Sequence, residues 1–297
     1  MSPKVSIIIP VYNGAAFISE AIESIFNQSF QDFELIVIDD GSTDETQEIV
    51  HQFGKRLAYF YQKNQGRAAT RNAGLKKAKG LYVAFLDADD FWNSDRLERG
   101  VRVLDSESDI GLVHGTIEII DSQGNLDERQ TKWAHTFYRQ ELKKGSGYVR
   151  LLQGCAIFSS AVLFRREFID QVGYYDESFP IYEDYDWYLR FALKYRMKLL
   201  EGPALIKYRL HPSNSFTQFT PDEIAKIYLA ILDKQLNEIH SQLLDRKFKS
   251  HVLKKMVEFH WRLHDKAHIK TKAFEIARLN PRLFLDLRLL IRFMLSL

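Results

Sequence analysis

Leu81-Tyr82-Val83-Ala84-Phe85-Leu86-Asp87-Ala88-Asp89-Asp90 is the stretch on which the fold turns. An uncharged apolar run of this length reads as a strand buried on both faces, and it stops abruptly in a cluster of carboxylates. Working back toward the N-terminus, residues 5–10 form a short β-branched run. Phe17, Ile18, Ala21, Ile22, Ile25 and Phe26 then fall on one helical stripe. Residues 33–38 are a second apolar run, ending in Asp39-Asp40-Gly41-Ser42. Residues 43–53 predict a helix capped by Ser42 or Thr43. Residues 57–61 predict a third strand, and residues 67–78 a helix with Gly80 just past its end. Four strands alternate with three helices, and the strands are nearly continuously apolar. This implies an α/β protein with a mostly parallel sheet and helices on both faces.

Beyond residue 105 the pattern is more mixed. Residues 110–120 hold two strand-like pieces, and Gln123-Gly124-Asn125 is a turn signal. Residues 127–148 are polar and predict a loop or flap. Residues 155–164 predict a buried strand, 183–195 a helix and 199–210 a strand. From 221 onward Ile224, Tyr228, Ile231, Gln235 or Leu236, Ile239 and Leu243 follow the helical period.

The chain of 297 residues is 45% hydrophobic and 27% charged, which excludes a disordered or fibrous protein. Its single cysteine, Cys155, forms no intrachain disulfide and sits among Gly154, Ala156 and Ile157, as a buried thiol would. The longest uncharged runs, 5–19 and 151–164, fall short of the roughly 18 residues of a spanning helix. Ile7-Ile8-Ile9 is too short for the core of a signal peptide. A cytoplasmic location is expected. The net charge is +2, unevenly spread: residues 220–297 carry 15 Lys+Arg against 9 Asp+Glu, leaving a body of net −4 and a tail of net +6.

In open parallel sheets ligands bind at the carboxyl ends of strands. Asp39 and Asp40 end one strand here, and Asp87, Asp89 and Asp90 end another. Such carboxylates repel one another unless a cation compensates, and Mg²⁺ or Mn²⁺ suits oxygen ligands and substrate phosphates. Neither a G-x-G-x-x-G after the first strand nor a G-x-x-x-x-G-K-[ST] is found, which weakens dehydrogenase and P-loop readings. A bound diphosphate would then rely on the metal and on Lys63, Arg67 or Arg71.

Four motifs in order, Pro10-Val11-Tyr12-Asn13-Gly14, Asp39-Asp40-Gly41-Ser42-Thr43-Asp44, Gly66-Arg67-Ala68-Ala69-Thr70-Arg71-Asn72-Ala73-Gly74 and Asp87-Ala88-Asp89-Asp90, resemble those of the family 2 glycosyltransferases, which have the GT-A fold. The resemblance covers residues 3–105, more loosely about 150–216, and stops near 220. It implies a Rossmann-like GT-A domain over 1–218, with a nucleotide-binding half (about 1–105) and an acceptor half (about 106–218). A helical C-terminal extension follows over 219–297. It implies that Pro10 and Tyr12 line the base and ribose, that Asp40 meets the pyrimidine edge, and that Arg71 lies near the nucleotide. Asp87 and Asp89 resemble the family's Asp-x-Asp pair, with Asp89 the direct metal ligand and Asp87 nearer the ribose.

In the second half, Ile181-Tyr182-Glu183-Asp184-Tyr185-Asp186-Trp187 is similar to the family's Glu-Asp motif, whose Asp is the catalytic base. An acceptor hydroxyl is a weak nucleophile until a carboxylate takes its proton. Asp184 is the expected base, with Glu183 or Asp186 as alternatives. Trp187 and Tyr182 suit a sugar face, though Trp187 at helical spacing reads as core. His211, in Tyr208-Arg209-Leu210-His211-Pro212, is placed by the resemblance near the metal or diphosphate. The Gln-x-x-Arg-Trp motif of the family's processive synthases is not found.

The expected reaction is therefore metal-dependent, inverting transfer of one sugar from a nucleoside-diphosphate sugar to a hydroxyl of a glycan or lipid-linked acceptor, in cell-surface polysaccharide or lipid-linked glycan synthesis. A sugar nucleotidyltransferase and a non-catalytic sugar-nucleotide-binding module are the rival readings. Pyrophosphate release would mark the first, and binding without turnover the second. Nucleic acid is not an expected partner. Residues 282–295, apolar with spaced arginines, suit an interfacial helix on the inner face of an anionic membrane. Their alternative is a helix docked on the catalytic domain or on a second copy of the chain, as in a homodimer. His260, His264 and His268 recur at i, i+4 and i+8, where two could hold zinc. With no flanking carboxylate or cysteine in evidence, they read as a solvated helix face.

Overall fold

The computed structural model describes residues 2–142, 147–153, 157–241, 246–282 and 284. Cys155, Leu243 and most of 282–295 lie outside them. The chain forms two compact units, Met1–Lys143 with Ala156–Pro212, and Lys144–Cys155 with Ser213–Leu297.

In chain order the elements are β1 (Val5–Val11), α1 (Ile18–Phe26), β2 (Phe33–Asp39), α2 (Thr46–His51), β3 (Ala58–Tyr61), α3 (Arg67–Lys77), β4 (Tyr82–Phe85), β5 (Phe91–Trp92), α4 (Arg96–Ser106), β6 (Ile110–Gly115), β7 (Ile117–Ile120), α5 (Glu128–Leu142) and α6 (Gly147–Gln153). They continue with β8 (Leu163–Arg165), α7 (Ile169–Val172), α8 (Glu183–Lys194), β9 (Arg196–Leu200), β10 (Ile206–Arg209), α9 (Pro221–Ser241), α10 (Arg246–Arg262) and α11 (Lys266–Leu279). In the first unit, the described residues form a seven-stranded sheet of order β3-β2-β1-β4-β8-β6-β9 and a three-stranded sheet of order β5-β10-β7. In the larger sheet β8 runs antiparallel to both its neighbours, and the other pairs are parallel.

The strand alternation sets the two layers. Val5, Ile7, Ile9 and Val11 of β1 join Ile18, Ile22 and Ile25 of α1, Val50 of α2 and Leu97, Val101 and Leu104 of α4 in one apolar cluster. Ile8, pointing the other way, lies under α3, where a Cβ on Gly74 would come within 2.4 Å of Ile8 Cγ2. Helices therefore cover both faces, which is why the strands read as apolar throughout. Ile7, Ile8 and Ile9 have no exposed surface, and each contributes about 1.5–3 kcal/mol by burial.

Three stretches differ from their sequence expectation. Residues 127–148 are largely helical rather than a loop. Asp127 accepts the amide of Gln130, and the Thr131 hydroxyl accepts Ile119 N–H, which fixes the start of α5 against β7. Residues 157–165 do not form one strand: Ser159–Ala161 makes a single tight turn before β8, and its two hydroxyls are spent in the site described below. Residues 199–210 divide at Gly202, whose φ of 108° is a left-handed conformation suited to glycine. The two pieces serve different sheets, as β9 and β10. The start of α2 also differs: Glu45 takes the cap position without a side-chain bond, and Asp44, not Ser42 or Thr43, accepts Thr46 N–H.

The second unit joins α6 with α9, α10 and α11. Thr220 and Glu223 form a reciprocal capping box, with Pro221 opening α9. Tyr228 of α9 stacks on Phe259 of α10 at 4.7 Å between ring centroids. No described helix is long and apolar enough to cross a membrane.

Candidate active site

The carboxyl ends of β1, β2 and β4 meet at one edge of the larger sheet, in the register Val11 beside Asp39 and Ile8 beside Phe85. Each strand there runs into a turn. After β1, Asn13 takes a positive φ of 51°. Its backbone N–H donates to Ser42 Oγ, and its side chain accepts Thr43 N–H. Ala15 N–H donates to Asp44. These bonds staple the β1–α1 loop to the β2–α2 loop, leaving Pro10 partly covered and Tyr12 exposed.

Asp39 and Asp40 are both buried, with different jobs. Asp39 accepts Ser42 N–H at 2.8 Å and the Tyr59 hydroxyl at 2.6 Å, so it builds the turn. Burial and that same carboxylate push the Tyr59 phenol well up. Asp40 accepts Gln62 Nε2 (2.7 Å), Gln65 N–H (2.9 Å) and Gly66 N–H (2.9 Å). It therefore anchors the loop leading into α3. Gly66 has a φ of 91°, a conformation that glycine adopts without strain and that points its N–H at Asp40.

Arg71, expected beside the nucleotide, is 1% exposed. One terminal nitrogen donates to Asp87 Oδ1 at 2.6 Å and the other to Glu183 Oε1 at 2.5 Å. Burial alone would push its pKa down, but the Asp87 and Glu183 carboxylates reverse that, so the guanidinium stays charged. Arg71 is thus a bridge from the turn after β4 to the start of α8. Glu183 is fully buried and also lies 3.4 Å from Arg67 Nε, while Lys63 is exposed.

Asp184, one residue on, is only partly covered. Its Oδ2 accepts the Ser159 hydroxyl at 2.9 Å. Burial and the adjacent Glu183 carboxylate raise its pKa, against the lowering pull of Arg71, Arg67 and Ser159. Tyr182, before the helix, has a φ of 62°, an uncommon conformation for a bulky residue and a local strain. Asp186 is buried in an ion pair with Arg190 at 3.0 Å, and Arg190 in turn donates to the carbonyls of Val172 and Tyr174. That pair belongs to the scaffold. Trp187 has no exposed surface and packs on Phe164, Tyr175 and Phe191, so it is core and not a sugar platform.

The Asp87–Asp90 turn closes with Asp90 N–H on Asp87 C=O. Ser160 Oγ accepts Asp87 N–H and donates to Asp90 at 2.6 Å, and Asp90 also accepts Arg209 N–H. Burial, then Asp89 and Asp87, push the Asp90 carboxyl well up. Asp89 Oδ2 lies 2.9 Å from His211 Nε2, whose ring rests on Phe17. Arg209 holds this loop through Asp89 C=O and an ion pair with Glu20. Asp89 with its His211 partner and Asp87 with its Arg71 partner thus flank a buried acid whose pKa the two carboxylates raise. Carboxylates grouped closely enough to raise a neighbour's pKa are oxygen donors of the type a hard divalent cation takes.

Several contributors carry no motif. Ser159, Ser160, Gln62, Gln65 and Arg209 act through hydroxyl, amide or guanidinium contacts across long sequence separations. Only the paired serines after an apolar run offered any local signal.

The family described as "Glycosyl transferase family 2" matches residues 6–172. An uncharacterized glycosyltransferase of Haemophilus influenzae is 39% identical over 191 residues, covering 63% of this chain and 71% of that protein. One from Rickettsia typhi is 32% identical over 222 residues, covering 72% of this chain and only 66% of the relative. Among solved structures, S. aureus TarS 1-349 in complex with UDP-GlcNAc superposes with a TM-score of 0.68 at 20% identity, covering 99% of this chain and 87% of that one. The mannosyltransferase PcManGT from Pyrobaculum calidifontis, in complex with GDP-Man and Mn²⁺, gives 0.63 at 20% identity, covering 95% and 76%. These likenesses assign the GT-A fold. The chain belongs to glycosyl transferase family 2.

Proposed function

We propose that the protein transfers a single sugar from a nucleoside-diphosphate sugar to an acceptor hydroxyl, with inversion at the anomeric carbon, in the synthesis of a cell-surface polysaccharide or lipid-linked glycan. The observation that carries this reading is the Arg71 bridge. One buried guanidinium ties Asp87, at the acidic turn, to Glu183, the neighbour of Asp184. Donor-side and acceptor-side carboxylates are thereby held on one rigid support.

Tyr12 and Pro10 line the base and ribose, and Asp40 sets the Gln62–Gly66 loop beside them. Asp87 faces the ribose. Asp89, Asp87 and His211 would hold Mg²⁺ or Mn²⁺, which supplies charge neutralisation for the departing diphosphate. Arg67 and Lys63 are the cations with exposure enough to reach phosphate oxygens. Arg71 acts through the carboxylates it positions. Asp184 takes the proton of the acceptor hydroxyl, and Ser159 orients the receiving carboxylate. Glu183, buried and ion-paired, keeps Asp184 basic by its negative charge. Attack opposite the diphosphate inverts the centre through an oxocarbenium-like state. By sequence, residues 282–295 contact an anionic membrane surface carrying the acceptor.

The neighbours bound to UDP-GlcNAc and to GDP-Man with Mn²⁺ define the donor panel. Melting would be followed with UDP-, dTDP- and GDP-sugars, each with and without Mn²⁺. A ligand at 100 times its dissociation constant adds about 2.7 kcal/mol to the native state. A Mn²⁺-dependent shift with one nucleotide class, followed by transfer to a sugar acceptor with inverted configuration by NMR, is expected. Binding without transfer across a broad acceptor panel, or retention of configuration, would overturn the proposal.

A further inference from the structure

The row of histidines in the second unit is not one helix face. The helix breaks after Arg262 and restarts at Lys266, and His264 takes the turn with a φ of 55°. The break folds His268 back onto His260. Their rings stack nearly parallel, 8° apart with centroids at 4.8 Å. It also supplies the carboxylate that the sequence spacing did not reveal, Asp265.

Asp265 divides its two oxygens. Oδ1 accepts His268 N–H at 3.2 Å and caps α11. Oδ2 faces both imidazoles, 2.7 Å from His268 Nδ1 and 3.2 Å from His260 Nδ1. His260 is 9% exposed, and its Nδ1 makes no hydrogen bond among the described residues despite that proximity. The three ligand atoms lie within 4.8 Å of one another. Tetrahedral zinc, with bonds of about 2.0–2.2 Å, sets its ligand atoms roughly 3.3 Å apart; the 3.2 Å spacing matches this, and the 2.7 Å spacing opens by a small turn of the exposed His268 ring.

We propose that His260, Asp265 and His268 form a binding site for a zinc-class divalent ion that clamps the corner between α10 and α11. Two imidazole nitrogens and one carboxylate oxygen are ligands of the type zinc takes. The exposed side of His268 leaves the fourth position to water. The site is separate in sequence and in ligand set from Asp87, Asp89 and His211, and it does not depend on the sugar-transfer reading. Because the ion binds the folded corner and not the unfolded chain, it stabilises the second unit.

The test uses the full chain, stripped of metal and titrated with Co²⁺ followed by visible absorption, then with Zn²⁺ in competition. Asp89→Ala takes the direct ligand from the sheet-edge acids and so weakens their contribution. The expected result is one Co²⁺ equivalent that persists in Asp89→Ala, is displaced by Zn²⁺, and weakens at least about tenfold in His268→Ala and Asp265→Asn. Asparagine keeps the helix cap, so Asp265→Asn separates ligation from capping. His264→Asn, which tolerates the left-handed turn, should bind as the parent does. Metal-free melting temperatures near the parent's verify that the variants fold. Zinc should raise the melting temperature of Asp89→Ala but not of the double variant Asp89→Ala/His268→Ala. Absence of the Co²⁺ spectrum in Asp89→Ala, or a spectrum unchanged by His268→Ala and Asp265→Asn, would overturn the proposal and leave a capping aspartate between two histidines.

Discussion

Asp184 is held in a place where its charge is costly. Burial and the Glu183 carboxylate raise its pKa, while the Ser159 hydroxyl lowers it. Its basic form is lost as pH falls through that raised value, so the acid limb of kcat/KM should lie above the ordinary aspartate value of about 3.9. Ser159→Ala removes the hydrogen bond that favours the anion, and should move that limb to still higher pH. A limb unmoved by the substitution would separate Ser159 from the base. Asp184→Asn should lower turnover by about 10²–10⁴-fold with donor affinity nearly intact. The stability consequence has the opposite sign. A carboxyl with a raised folded-state pKa contributes stability at low pH that is lost as pH rises through that pKa. At neutral pH the inactive Asp184→Asn variant should therefore melt no lower than the parent, as calorimetry would show.

At the scale of elements, the site depends on α3 lying close against β1. Gly74 makes this approach possible, and any Cβ there meets Ile8 Cγ2 on a strand residue with no exposed surface. Gly74→Ala should cost about 1–3 kcal/mol through overpacking, read as a lower midpoint in urea with an unchanged slope. Because Arg71 lies on the same helix, the displacement should also weaken donor binding, which a calorimetric titration would register. A variant as stable as the parent would show that the helix can shift freely over the strand. The paired serines before β8 show a related economy. A strand-like sequence gives up a turn of regular pairing so that Ser159 and Ser160 can hold Asp184, Asp87 and Asp90.

Over the whole molecule, a body of net −4 is followed by a C-terminal stretch of net +6. If residues 281–297 carry the proposed membrane contact, their deletion should reduce co-sedimentation with anionic vesicles and leave turnover on a soluble acceptor unchanged. Equal sedimentation of the two forms would remove the membrane role. The sequence by itself determined the α/β class, the order of the first four strands and three helices, and the acidic turns at the strand ends. All of these rest on local periodicity and on residues adjacent in the chain. Only the tertiary structure decided what those acids do. Asp40 is turned into a loop by donors more than twenty residues away, Arg71 is withdrawn from solvent by Glu183 over a hundred residues on, and Asp186 is committed to Arg190. It also divided residues 199–210 between two sheets and folded a row of histidines into a cluster around Asp265. The reason is physical: a strand or helix announces itself through its own repeat, whereas the partner of a buried charge is chosen by whichever distant group packing brings within hydrogen-bond reach.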